Sequence, residues 1–313
     1  MISNTITLIL GAGASIPFGF PSGRRLLIEI CDKLDLVKGK DAPFCETINK
    51  CGFAFDFIKE FRSELFNSMQ PSVDAFLEKR NEYLEIGKAA IARALIPYER
   101  KARLERWQDN LHWYEYLFSK MDAKTPDDFQ SNRISFVTFN YDRSLEYFLF
   151  QAIKHSYGLN DDATAMVLKT IPIVHVHGQL GHLPYVGTNV LEYNLKSDNL
   201  NAEIVKKSAG NILIIHEIDE ITEDFKIAHK LIEAANKVVF IGFGYHPTNM
   251  KRLIKQKIGG PILASKFFGT AFDLSEGDKI TIKETFKDLN SSPIHLGRAN
   301  EDALLFLRDK GLY

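Results

Sequence analysis

Two side chains able to bind hydroxyl groups and move protons come directly after predicted strands. Asn140 follows the apolar run 134–138, and His177 follows the run 171–176. An asparagine amide is both donor and acceptor, so it can hold a hydroxyl group or a water molecule. A histidine titrates near neutral pH, so it can take a proton from that group as a general base. These residues predict a site that activates a hydroxyl group or water.

Glycine-rich turns follow two further predicted strands. Gly11 and Gly13 lie in one turn, and Gly242 and Gly244 lie in the other. Glycine lets the backbone turn tightly and approach a ligand closely, and a buried strand, a small-residue loop and a helix together cradle phosphate groups. Ile16 stands where the common dinucleotide fingerprint has its third glycine. A plain strand-to-helix turn therefore remains an alternative.

The elements that must position these residues follow an alternating pattern. Apolar runs predict buried strands at 6–10, 134–138, 171–176 and 237–241, with weaker candidates at 211–215, 262–264 and 279–282. Helical patterns separate them, which favours an α/β, Rossmann-like, mainly parallel sheet with helices on both faces. Ligands of such sheets bind beyond the carboxyl ends of the strands. The two glycine turns, the amide and the imidazole are therefore expected at one edge.

Two long segments interrupt this alternation. Residues 23–120 show only helical patterns and predict a large helical insertion between the first two strands. Residues 179–210 are polar and irregular, and predict a loop over the site or a small subdomain. A closing helix is expected over 300–308. We expect one catalytic domain spanning residues 1–313.

Composition narrows the possible partners and the cellular location. The net charge of −1 over 313 residues gives no electrostatic case for nucleic acid or an acidic membrane surface. No apolar run approaches the 18 residues of a transmembrane helix, and no leader pattern is present, so a cytoplasmic protein is expected. The three cysteines include no Cys-x-x-Cys pair, so we expect no cysteine zinc site and activity without bound metal.

Short motifs in a fixed order carry a resemblance to a known family. They are Gly11-Ala12-Gly13-Ala14-Ser15, Ser72-Val73-Asp74-Ala75-Phe76-Leu77, Phe139-Asn140-Tyr141-Asp142, His177-Gly178 and Ile241-Gly242-Phe243-Gly244-Tyr245. In this order the chain resembles the sirtuin-like (SIR2) family, and more closely its bacterial NAD-consuming branch associated with phage defence. The resemblance spans residues 6 to about 255.

The resemblance implies a substrate and a set of site residues. NAD+ would bind across the loop after the first strand, and Asn140 and His177 would be the catalytic pair. Asp142 would assist them, although capping the following helix is an equally strong interpretation. The implied NAD+ contacts are Gly11, Ala12, Gly13, Ala14, Ser15, Pro21, Asp74, Thr138, Gly178, Gly242, Gly244, Tyr245 and Asn249. His175 is expected on the same face as His177 while the strand stays regular.

The implied reaction is release of nicotinamide from NAD+, which would deplete NAD+ during anti-phage defence. The four-cysteine zinc module of protein-deacylating sirtuins is missing, which lowers the rank of deacylation. Regulation would then come from a homo-oligomer or a separate activating or sensor protein. The other candidates are an NAD+ or ADP-ribose-binding regulatory module, ADP-ribosyl transfer or cyclisation, and a dehydrogenase. A dehydrogenase typically has the third glycine and an acidic residue at the end of the second strand, whereas this chain has Ile16 and Thr138-Phe139-Asn140 there.

Overall fold

The protein is built on one six-stranded, all-parallel sheet. The computed structural model describes residues 1–35, 42–101, 104, 111–187, 190–196, 199–214, 222–254, 266–289 and 293–310. The strands are β1 (Ile6–Leu10), β2 (Ile134–Thr138), β3 (Ile173–His175), β4 (Lys237–Ile241), β5 (Lys266–Gly269) and β6 (Ile294–Leu296). Their order in the sheet is β3-β2-β1-β4-β5-β6. This order is typical of doubly wound dinucleotide-binding folds, so the predicted Rossmann-like class is confirmed.

The central strand is β1, which pairs with β2 on one side and β4 on the other. Leu8 lies opposite Phe136 of β2 and opposite Val239 of β4. All five residues of β1 are buried, because helices cover both faces of the sheet. The strand order reverses between β1 and β4, and ligands of such sheets bind in the crevice at that point.

Alternate residues of the strands enter two separate hydrophobic cores. Leu8 and Phe136 belong to the larger core, whereas their neighbours Ile9 and Val137 belong to the smaller one. This alternation follows from the two-residue period of a strand. The layered arrangement therefore rests on short strands that are apolar at nearly every position.

Helices alone occupy the described chain between β1 and β2. A 3-10 turn over Ala12–Phe18 leads into α1 (Gly23–Lys33), α2 (Ala42–Lys50), α3 (Phe55–Asn67), α4 (Val73–Leu77), α5 (Leu84–Leu95), α6 (Trp113–Met121) and α7 (Pro126–Phe129). Helices α2 and α3 are separate, since the chain leaves the helix at Cys51 and Gly52 has a φ of 106°. Ser72 caps α4, accepting a hydrogen bond from Ala75 N at 3.1 Å.

The remaining helices flank β3 to β6. They are α8 (Ser144–Tyr157), α9 (Asp161–Leu168), α10 (Ala202–Ala209), α11 (Glu223–Ala234), α12 (Pro247–Ile254), α13 (Glu276–Leu289) and α14 (Ala303–Lys310). In the described part of the chain, no helix is both long and apolar enough to cross a membrane.

Two of the weaker strand predictions are wrong, and a third falls outside the described residues. Residues 279–282 lie inside α13, whose start is held by Ser275 Oγ accepting from Asp278 N at 3.2 Å. Ile280 is 56% exposed, so the apolar alternation there does not reflect burial in a sheet. Within 211–214 only Ile212 forms a bridge, to Gly178, and residues 262–264 are among those not described.

None of the described residues of the loop-rich segment 179–210 lines the cleft at the carboxyl edge of the sheet. The segment contains α10, which packs on α5, and its described residues line cavities away from the cleft reported below. A buried ion pair anchors it. Arg143 Nε donates to Glu99 Oε1 at 3.0 Å, and Arg143 Nη1 donates to the carbonyl of Leu191 at 2.6 Å. Of the two alternatives for this segment, a loop over the site or a small subdomain, its described residues favour the second.

Candidate functional site

A cleft of about 320 Å³ opens at the carboxyl ends of β1, β2 and β4, where the strand order reverses. Its size lies at the lower end of the range for small-molecule sites. Its walls come from the loops after these strands and from the N-terminal parts of α1, α4 and α12. The lining residues are Gly11, Ala12, Ser15, Phe20, Pro21, Gly23, Leu26, Pro71, Ser72, Asp74, Ala75, Glu78, Leu95, Phe139, Asn140, Tyr141, Asp142, His177, Phe243, Gly244, His246 and Asn249.

The glycines of the two turns bring the turns into direct backbone contact. Gly13 N donates to the carbonyl of Gly242 at 2.9 Å, and a Cβ on Gly13 would lie 2.7 Å from the Cα of Gly242. Gly242 has a φ of 57°, and a Cβ there would lie 2.0 Å from Ala14 N. Gly11, Gly13 and Gly242 therefore allow the two turns to pack backbone against backbone. Gly244 differs, because a Cβ on it would meet open space in the cleft.

The amide of Asn140 is held in one orientation by the first turn. Its Nδ2 donates to the carbonyl of Gly11 at 3.0 Å and to Ser15 Oγ at 3.1 Å. The Gly11 carbonyl can only accept a hydrogen bond, so the nitrogen of the amide must face it. Both amide protons are used, and within the described residues Oδ1 receives no hydrogen bond. Asn140 thus presents an acceptor to the cleft.

Asp142 supports this arrangement through Ser15. Ser15 Oγ donates to Asp142 Oδ2 at 2.8 Å, while Asp142 Oδ1 accepts from Ser144 N at 3.1 Å. Burial raises the pKa of Asp142, although the hydrogen bonds from Ser144 and Ser15 oppose the shift. The carboxylate therefore both secures the start of α8 and orients the hydroxyl that holds Asn140.

His177 lies in the cleft wall among aromatic rings. Its side chain is buried, and its ring packs edge-on to Phe139 with centroids 5.0 Å apart. Nε2 has no hydrogen-bond partner among the described residues. Burial, and then the positive charge of Arg252, lower the pKa of His177 to about 4. The imidazole is therefore neutral at physiological pH and can accept or donate one hydrogen bond to a ligand.

His175 does not share a face with His177. Strand β3 ends at His175, and Gly178 adopts a φ of 72°, so the period-two alternation stops there. His175 Nδ1 lies 2.9 Å from the carbonyl oxygen of Asn140, and Nε2 contacts Glu146. His175 lines cavities beside α8, whereas His177 lines the cleft. The same-face expectation is wrong because the strand does not stay regular.

The structure divides the other predicted NAD+ contacts into two groups. Ala12, Ser15, Pro21, Asp74, Gly244 and Asn249 line the cleft, as does Gly11. Gly13, Ala14, Thr138, Gly178, Gly242 and Tyr245 lie outside its lining. The glycines of this second group make backbone contacts, Gly13 with Gly242 and Gly178 with Ile212. Thr138 Oγ1 accepts from Asn140 N at 3.0 Å, Ala14 O accepts from Trp113 Nε1 at 2.9 Å and Tyr245 Oη donates to Thr270 O at 2.9 Å.

Asp74 on α4 and Asn249 on α12 both line the cleft. Tyr141 Oη donates to Asp74 Oδ1, and burial raises the pKa of this carboxyl despite that hydrogen bond. Asn249 Oδ1 is buried without a hydrogen-bond partner among the described residues. Both side chains therefore offer polar atoms to a ligand.

Sequence reasoning missed the aromatic part of the cleft. Phe20, Phe139 and Phe243 line it, and Arg252 sets the charge near His177. Phe139 and Phe243 lie inside the motifs quoted above, directly after β2 and two residues after β4. Their position beside the polar residues is the signal that could have identified them.

Within the described ranges, no group of three or more His, Cys, Asp or Glu side chains is arranged to hold a metal ion. No protein-family model matches the chain, and no curated protein matches it.

Proposed function

We propose that this chain is an NAD+ glycohydrolase that releases nicotinamide from NAD+. One observation carries the proposal: Asn140 and His177, which leave neighbouring strands, line one cleft at the reversal point of a Rossmann-like sheet. Each has a polar side-chain atom without a hydrogen-bond partner among the described residues. A binding module that performs no reaction gives no reason for this pair.

The fit of a dinucleotide rests on the first turn and on α1. Backbone and small side chains of Gly11, Ala12 and Ser15 line the cleft beside the N-terminal part of α1. Such a helix N-terminus favours a diphosphate, because the helix dipole attracts negative charge. The aromatic rings of Phe20, Phe139 and Phe243 supply the apolar contact that a nucleoside needs.

The reaction breaks the bond between the ribose C1′ and the nicotinamide nitrogen. Nicotinamide leaves with the bonding electrons as a neutral molecule, and an oxocarbenium-like ribose develops positive charge at C1′. Asn140 Oδ1 accepts a hydrogen bond from a ribose hydroxyl or the attacking water. His177 Nε2 takes the proton that the water loses as its oxygen bonds to C1′. The products are nicotinamide and ADP-ribose.

The rate of such a step depends on excluding bulk water and on placing one nucleophile. The buried, aromatic surroundings of His177 fit both needs. We propose that the resulting loss of NAD+ is the chain's action in bacterial anti-phage defence. Control would then lie in a homo-oligomer or a separate activating protein, since unrestrained NAD+ loss would harm the host cell.

Incubating the purified chain with NAD+ and separating the products by chromatography tests the proposal. Equal amounts of nicotinamide and ADP-ribose support it. A cyclic product or an ADP-ribosylated acceptor would keep the bond cleavage but change the fate of the ribose. Bound but intact NAD+ would favour a regulatory module, and NADH formed with an added substrate would favour a dehydrogenase.

A further inference from the structure

His175 and Glu146 form a buried pair behind the catalytic loop. His175 Nδ1 lies 2.9 Å from the carbonyl oxygen of Asn140, and Nε2 contacts Glu146 Oε1. Both side chains are largely withdrawn from solvent, with exposed fractions of 7% and 14%. Neither residue lines the cleft, so neither touches the proposed substrate.

The identity of the atoms fixes where the protons are. A backbone carbonyl only accepts hydrogen bonds, so the contact with Asn140 requires a proton on Nδ1. A neutral imidazole with that proton has a bare lone pair on Nε2, which would face the Glu146 carboxylate and repel it. The contact between Nε2 and Oε1 therefore requires one additional proton, held by the imidazolium or by the carboxyl group.

We propose that His175 is a positioning residue that holds the backbone of Asn140, and that Glu146 keeps it in place by sharing this additional proton. This inference rests on the proposed function only for its effect on catalysis. The peptide after Asn140 carries the held carbonyl, and the amide of the same residue reaches Gly11 and Ser15. Fixing the backbone therefore fixes the direction of Oδ1 into the cleft.

The charges around His175 favour the doubly protonated ring at neutral pH. Burial lowers the pKa of His175, but the charge and hydrogen bond of Glu146 together with the Asn140 carbonyl and Asp142 outweigh it, and the net shift is upward. Asp142 adds to the upward shift, and Asp224 of α11 interacts electrostatically with His175. Among the described residues, the other charged or titratable groups that line the cavities around His175 are Arg143, Lys169, His182 and Tyr185, with Tyr114 on the α6 side. Arg143 is already paired with Glu99.

The pH dependence follows from the sign of this shift. Because the pKa of His175 in the folded protein lies above its ordinary value, the additional proton is lost at a higher pH than from an ordinary imidazole. Its loss leaves Nε2 facing a carboxylate, and the ring then turns away from Asn140. Nicotinamide release should therefore fall on the alkaline side through kcat, with KM for NAD+ little changed.

Three variants separate positioning from a general structural role. Glu146→Gln lets a side-chain amide donate to Nε2 of a neutral ring, so Nδ1 keeps its proton and the alkaline fall in kcat should disappear. His175→Ala removes the donor and should lower kcat about 10-fold or more at every pH. His175→Asn can restore an N–H toward the Asn140 carbonyl and should recover most of that loss. Glu233→Gln, on the exposed face of α11, should keep the wild-type profile.

Nitrogen NMR of the histidine rings tests the hydrogen bond without any turnover. The proposal expects His175 to carry both ring protons at pH 7 in the wild type and only the Nδ1 proton in Glu146→Gln. A neutral ring protonated at Nε2 in the wild type would overturn it. Wild-type kcat in His175→Ala would also overturn it. If the wild type releases no nicotinamide, the proposed function fails while the NMR result still decides the pairing.

Discussion

At the scale of single residues, Asn140 and His177 carry the proposed chemistry. We expect Asn140→Ala and His177→Ala each to lower nicotinamide release by about 10² to 10⁴, since a lost general base or positioned nucleophile has effects of this size. His177→Ala should keep its NAD+ affinity but melt somewhat lower, because its buried ring packs against Phe139. Asn140→Ala should melt somewhat lower, because it leaves the Gly11 carbonyl and Ser15 without a donor.

Kinetic assays, calorimetric NAD+ titration and thermal melting measure these effects. Asn67→Ala and His155→Ala are matched controls, because both residues are exposed and lie outside the cleft. Variants at Asn140 and His177 that cleave NAD+ as fast as the controls would show that another group in the cleft does the chemistry.

The low pKa of His177 predicts an unusual acid limb in the pH profile. The base form of the ring persists down to about pH 4, so kcat/KM should fall near pH 4 instead of near the ordinary value of 6.5. The free energy of unfolding should also decrease as the pH falls through this range. Between these pH values the unfolded ring binds a proton that the folded ring does not, so the contribution is full above 6.5 and is lost as the pH falls to about 4.

Arg252→Met tests the electrostatic part of this explanation. Removing the positive charge should move the acid limb of kcat/KM to higher pH, because that charge opposes protonation of His177. An acid limb near 6.5 in the wild type would contradict the burial of the imidazole in the working enzyme.

At the scale of elements, the turn after β1 and the turn after β4 form one unit. Gly242→Ala would place a Cβ 2.0 Å from Ala14 N at a φ of 57°, so we expect a loss of about 1–3 kcal/mol of unfolding free energy together with weaker NAD+ binding. Gly13→Val should act in the same way. Gly244→Ala is the matched control, because its Cβ enters open space; it should leave the melting temperature unchanged while altering NAD+ affinity. Equal melting temperatures for Gly242→Ala and Gly244→Ala would refute this role of the turns.

The pair of Arg143 and Glu99 joins the start of α8, the chain that follows α5 and the segment around Leu191. Glu99→Ala would leave the buried guanidinium without its carboxylate, so urea unfolding should show a loss of about 3–5 kcal/mol. Asp161→Ala breaks the exposed pair with Lys154 and should lower stability by at most about 1 kcal/mol. A Glu99→Ala variant as stable as Asp161→Ala would mean that this segment is held by other contacts.

At the scale of the whole molecule, an enzyme that cleaves NAD+ must be kept inactive in its host cell until it is needed. We expect the dilute chain to have low specific activity that rises with protein concentration or on addition of an activating protein, because assembly would order the walls of the cleft. Light scattering and nicotinamide release measured across one dilution series test this. High turnover by a dilute monomer would contradict it.

The amino-acid sequence by itself determined where the central strands lie along the chain and that their carboxyl ends meet at one edge. The runs 6–10, 134–138 and 237–241 are apolar enough to be buried on both faces, and the structure has a strand at each. Parallel strands separated by helices must bring their carboxyl ends to one edge. For that reason the sequence predicts Gly11, Asn140, His177 and Gly242 at one edge. The first three line the cleft, whereas Gly242 contacts Gly13 beside it.

Only the tertiary structure decided what most of these residues contact. The close approach of Gly13 to Gly242 joins turns more than 200 positions apart, and no local pattern encodes such a distance. The faces of His175 and His177 depend on where β3 stops pairing, which is set by its neighbours. Residues 279–282 alternate as a strand would, yet they form part of a helix at the protein surface. Local sequence fixes what a segment can form, while packing against distant segments selects which of those forms is stable and what each side chain meets.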